Sequence, residues 1–213
     1  MISLLQAGRY DVFILLIIAL TLSLSFHEFG HAIVAKWQGD DTAERAGRLT
    51  VNPLAHIDPL GLLMVVMVGF GYAKPVPTDP RNFRSRFSDL YVAAAGPFMN
   101  LALAVVTWNV FLLLRANGWD NVGGLTFFTI LAQINLLLML FNLIPLGPLD
   151  GHYILPHFLP KQMALQYRVY NARYGTAVFL GLIVLSFMGL PLFSWLAGLS
   201  VTMLEMITLV PLN

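Results

Sequence analysis

Residues 11–37 read DVFILLIIALTLSLSFHEFGHAIVAKW. The run is long and apolar enough to be a membrane span, since a helix needs ~20 such residues to cross the hydrocarbon core. Its second half carries HEFGH at 27–31 without a break. His27 and His31 are four residues apart, so at 3.6 residues per turn both imidazoles leave one face of the helix. Glu28 lies beside them. This HExxH arrangement offers two nitrogen ligands for Zn²⁺ and a carboxylate placed to act as general base on water. Ionisable groups inside a span cost about 2.5–3.5 kcal/mol each on insertion scales, so three in one helical turn argue for function. Arg9 followed by an apolar run also fits a secretory signal, but the run flows into HEFGH and further spans follow, so it is read as a span.

Composition agrees with a membrane setting. The chain has 213 residues, 58% hydrophobic and 11% charged. Soluble domains carry about a quarter charged residues, and a multi-span protein does without that shell because lipid solvates its outer face. A net charge of +1 gives no sign of nucleic-acid binding. There is no cysteine, so disulfides and thiolate metal sites are excluded, and any metal is held by His, Asp or Glu.

Length assigns further spans to 88–114, 125–144, 174–188 and 191–210. The apolar run 60–72 is too short to cross and is expected to re-enter. Residues 156–173 mix Lys161, Arg168 and Arg173 with Met, Leu and Tyr, which predicts an amphipathic helix on the membrane surface. Residues 48–51, Arg-Leu-Thr-Val, predict a small extended β segment that could accept an unwound substrate as an added strand. The fold class is therefore an all-α polytopic membrane protein with about five transmembrane helices, a short re-entrant segment and a small β segment. The chain reads as one membrane-embedded domain, 1–213. Its catalytic core is about 11–155, and the surface helix and a helical hairpin occupy 156–213.

A catalytic zinc takes three protein ligands and one water. A third His six residues after His31 is ruled out, because Trp37 stands there. Glu44, His56 and Asp58 follow in the polar loop. The better candidate is Asp150 in FNLIPLGPLDG, where two prolines end a helix and the chain can turn a carboxylate inward.

Together, HEFGH at 27–31, NPLAHIDPLG at 52–61, KPVP at 74–77, AGPFMN at 95–100 and NLIPLGPLDG at 142–151 resemble the site-2 protease family in sequence and order. The resemblance covers the core of the chain. It implies an intramembrane zinc metalloprotease with one zinc per chain, His27, His31 and Asp150 as ligands, and Glu28 as the catalytic acid/base. It also implies Asn142 near the scissile carbonyl, and transmembrane proteins as substrates. The sequence departs from many relatives in having no PDZ-like insertion and no C-terminal regulatory domain. His152 stands after Asp-Gly where a small residue is common, and is read as a surface residue.

Charge provides a separate test. If 60–72 re-enters, then 36–58, 73–87 and 156–173 share one side. They hold Lys36, Arg45, Arg48, Lys74, Arg81, Arg84, Arg86, Lys161, Arg168 and Arg173, ten of the 12 basic residues. The positive-inside rule makes that side cytoplasmic. The same topology brings Asp150 to the depth of the two histidines. The expected setting is a bacterial or archaeal cell membrane, with the site toward the cytoplasm. Two rival readings stay open, a membrane metal transporter and an inactive relative. A transporter usually shows paired repeats and charges on several spans, and here the ionisable groups within spans converge on one place.

Overall fold

The computed structural model describes residues 1–69 and 71–210, and of Val68 only the backbone. Phe70, inside the segment expected to re-enter, and residues 211–213, at the end of the C-terminal region, lie outside the described residues. Among the described residues, six helices of ten or more residues build the molecule: α1 (Tyr10–Trp37), α2 (Pro59–Val68), α3 (Ser88–Ala116), α4 (Val122–Asn142), α5 (Lys161–Phe187) and α6 (Leu192–Met206). Short turns of helix join them. Four of the six, α1, α3, α4 and α5, are long and apolar enough to cross a membrane, and α6 is apolar but shorter.

At the centre, α1 packs on α3 and α4, and α3 packs on α4. The sequence permits this close approach because the inner face of α3 is small. Ala93, Gly96, Asn100, Ala104 and Thr107 recur every three or four residues and are buried. Between apolar helices in lipid, association rests on such close contact and on buried hydrogen bonds. The outer faces are the reverse. Val106, Val110 and Leu113 on α3, and Leu180, Val184 and Phe187 on α5, form exposed apolar stripes. Water-soluble surfaces rarely carry such stripes, and hydrocarbon accommodates them. On the other side of α4, Phe141, Leu149, Phe179, Ile183 and Leu196 form a cluster that seats α5 and α6.

The segment expected to re-enter does turn back. Helix α2 has 10 residues, about 15 Å at 1.5 Å per residue, or half the ~30 Å core. It ends at Gly69 with φ of 80°. The chain then retraces its path, and the N–H of Lys74 donates to the carbonyl of His56 at 2.8 Å. Gly61 makes the return possible, since a Cβ there would run into the carbonyl of Tyr72.

Two expectations need revision. The β segment at 48–51 does not form, and there is no strand among the described residues. Turn chemistry wins there: the Thr50 hydroxyl accepts the N–H of Asn52, and Asn52 Oδ1 accepts the N–H of Leu54. The surface helix and the following span are also one body. Helix α5 runs from Lys161 to Phe187 through a π-helical stretch, Asn171–Gly175, with no stop between them. A π-turn absorbs an extra residue without ending the hydrogen-bonded ladder, so the change from polar to apolar composition marks no break. Asn171 anchors that stretch by accepting the N–H of Gly147 at 3.0 Å.

Candidate metal centre

His27, Glu28 and His31 occupy one turn of α1 on its inner face. Gly96 of α3 lies against them, where a Cβ would collide with both imidazoles. The turn after α4 brings up Asp150. The facing atoms are close: His27 Nε2 to His31 Nε2 is 3.1 Å, His27 Nε2 to Asp150 Oδ2 is 3.2 Å, and His31 Nε2 to Asp150 Oδ1 is 3.4 Å. All three residues are largely shielded from solvent.

The neighbours decide what these atoms are. Asn100 gives its amide N–H groups to the Ser23 carbonyl and to Asn135 Oδ1. Its own Oδ1, an acceptor only, therefore faces His27 Nδ1 at 2.6 Å. His31 Nδ1 faces the Val92 carbonyl at 2.7 Å. Both Nδ1 atoms thus donate, so that in the neutral form each ring turns a lone pair on Nε2 toward the other and toward a carboxylate, as metal ligation requires. With both rings neutral, three electron-pair donors converge. Asp150 Oδ2 is buried and has no hydrogen-bond partner. A cation resolves both problems, and two imidazoles with one carboxylate suit zinc. The group has the donors for one metal ion.

Glu28 stands outside this group. It is buried, and its Oε2 accepts the N–H of Val76 at 2.9 Å. The alternatives for the third ligand are engaged elsewhere. Glu44 pairs with Lys36, Asp58 caps α2 through the N–H of Gly61, and His56 bonds Arg48 and the Thr50 carbonyl. Asn142, the last residue of α4, gives its amide to the carbonyl of Leu138 at 3.0 Å and is not part of the group. His152 Nδ1 donates to the Leu149 carbonyl at 2.8 Å, and the ring lies half-buried against Tyr153.

A family model for peptidase family M50 matches residues 15–120 and 116–184. The chain belongs to peptidase family M50. This is the site-2 protease family, so the resemblance read from the motifs holds, and the chain is a membrane zinc metalloprotease. YwhC of Bacillus subtilis, named as a zinc metalloprotease, is 41% identical over 175 residues, covering 79% of this chain and 80% of YwhC. Rip2 of Mycolicibacterium smegmatis, named likewise, is 37% identical over 161 residues, which is 70% of this chain and 60% of Rip2. The zinc metalloprotease MJ0392 of Methanocaldococcus jannaschii is 28% identical over 148 residues, 69% of this chain but 35% of that protein. No solved structure matches.

Sequence reasoning missed what surrounds the M50 donors. Asn100 joins helices through Asn135 and Ser23 and also fixes His27. The signal was present, because Asn100 lies one turn beyond Gly96 on the face of α3 that meets α1. The carbonyl of Val92 and the N–H of Val76 are backbone groups and leave no mark in side-chain patterns.

Proposed function

We propose that this M50 chain is an intramembrane endopeptidase that cuts the membrane-embedded segments of other proteins, with Glu28 as its general base. The observation that carries the reading is the convergence of the His27, His31 and Asp150 ligand atoms, with Glu28 next to them yet outside the donor set. Zinc, when bound, lowers the pKa of water toward ~7 and polarises a peptide carbonyl. Glu28 takes a proton from the attacking water and returns it to the leaving amine. Only one Glu28 oxygen is engaged by Val76, which leaves the other for water. Asn142 is the proposed donor to the carbonyl oxygen in the transition state. Its amide N–H would exchange the Leu138 carbonyl for the substrate.

The test is a cleavage assay in detergent with a generic transmembrane peptide. The purified chain should cut it, stop when zinc is chelated, and resume when zinc is restored. Cleavage that survives complete zinc removal overturns the reading.

The site opens toward the cytoplasm in this proposal. Residues 38–42 and 82–88 touch: the N–H of Arg84 donates to the Gln38 carbonyl at 2.9 Å, and the Asn82 amide donates to Asp40 at 2.9 Å. They therefore share one side, and the basic residues near them make it the cytoplasmic side. The chain has no cysteine, so single cysteines at Thr42 and Ser85 report sidedness in intact membranes. Both should be labelled from the cytoplasm alone. Labelling from opposite sides would refute the turn-back of α2, and labelling of both from outside would invert the orientation.

A further inference from the structure

Residues 73–79, AKPVPTD, form a strap that crosses from the return of α2 toward α3. Side chains tie it down along its length. At its far end, Asp40, fully buried, accepts the N–H of Asp79 at 2.7 Å. Burial pushes the Asp40 carboxyl up, but bonds from Thr42, Asn82 and Asp79 outweigh it and hold the group below the ordinary carboxylate range. In the middle is the N–H of Val76, which holds Glu28. Pro75 and Pro77 have no N–H, so Val76 is the one donor the KPVP stretch can offer beyond Lys74.

The near end is held by a buried cation. The Arg48 side chain is 6% exposed, yet among the described residues it forms no ion pair. Its Nη2 donates to the Lys74 carbonyl at 2.5 Å and to His56 Nδ1 at 3.3 Å. Its Nη1 donates to the Pro75 carbonyl at 3.3 Å. His56, 1% exposed, is itself fixed, because its Nε2 donates to the Thr50 carbonyl at 2.7 Å and its backbone carbonyl accepts the N–H of Lys74. A buried guanidinium without a carboxylate is costly and is retained where its geometry matters.

The carbonyl of Pro75 and the N–H of Val76 belong to one peptide unit. That unit is planar, and no peptide bond in the described chain is cis, so the two groups point in opposite directions. Arg48 grips one edge of the plane and Glu28 rests on the other. A cation bonded to the carbonyl also polarises the amide and strengthens its N–H as a donor.

We propose that Arg48, backed by His56, is a positioning residue for Glu28 that acts through the Pro75–Val76 peptide. The proposal rests on the reading of Glu28 as general base. Arg48 touches neither the metal donors nor Glu28. It fixes the amide that sets which Glu28 oxygen is free and where that oxygen points.

The test compares Arg48→Lys and Arg48→Gln with the native chain in the detergent cleavage assay, with zinc content and melting temperature measured alongside. Lysine keeps a charge but cannot grip two carbonyls and an imidazole. Both variants should keep one zinc per chain. Misplacing the base should lower kcat by about 10²-fold while KM stays within about twofold. A double-mutant cycle supplies a readout that a purely structural role would not move. In a Glu28→Asp background, where the base is already misplaced, Arg48→Gln should cost less than about threefold more. Any of three results overturns the proposal: kcat within about twofold of native in Arg48→Lys, multiplying effects in the cycle, or loss of folding or zinc in both Arg48 variants. A Glu28→Gln control separates the two readings. Activity in that control removes the base assignment itself, whereas an inactive Glu28→Gln beside a fully active Arg48→Lys removes only the role of Arg48.

Discussion

Glu28→Gln should bind zinc as the native chain does and cleave its substrate about 10⁴-fold more slowly, the upper range for removal of a general base. The substitution is close to isosteric. The new amide oxygen can still accept the N–H of Val76, so the local hydrogen bond is kept. What disappears is the ability to take a proton from water. The loss should fall on kcat, because in the proposed mechanism the side chain acts in the chemical step and not in holding substrate. Zinc content should not change, since His27, His31 and Asp150 form the donor group without Glu28. Metal analysis and turnover on the same preparation check both halves. Turnover within about tenfold of native would sink the mechanism.

Asp150→Ala should fail at the earlier step. The carboxylate supplies one of three donors and the only negative charge among them. Loss of an outer partner costs a metal site 10–100-fold in affinity, and loss of a charged ligand should cost more, about 10³-fold or beyond. Cleavage should vanish with the metal and return in part at high zinc. The two histidines alone face each other at 3.1 Å with lone pairs opposed. Titration with a competing chelator measures the change, and native affinity in the variant would remove Asp150 from the ligand set.

The parts of the molecule that were legible in the sequence are those governed by local period or by length. The four-residue spacing of His27 and His31 follows from helix geometry alone. The spans at 11–37, 88–114 and 125–144 follow from apolar length, and the observed helices differ at their ends by a few residues. The turn-back at 60–72 was readable from length and charge together. Asp150 was readable because prolines at 145 and 148 end α4 and free the chain to turn. What could not be read depends on contacts between distant segments. At 48–51, beside the local turn bonds of Thr50 and Asn52 that replace the expected strand, Arg48 turns inward to a carbonyl 26 residues on, a partnership that no local pattern announces. The split between surface helix and span at 173 failed because a π-turn leaves no compositional signature. The orientation of Asn142 toward Leu138 is a rotamer choice, which sequence does not record.

The donor group also sets an order of events in biogenesis. A chain made from its N-terminus presents His27 and His31 on its first long helix, while Asp150 arrives only after α2 has turned back and α3 and α4 are in place. Two imidazoles on one helix hold zinc weakly, and the third donor completes the site. With Asp150 as the proposed third ligand, the metal should therefore be captured late, once the central bundle has assembled. On that ligand set, a chain still being inserted would lack its metal, and so its activity, until the bundle is complete.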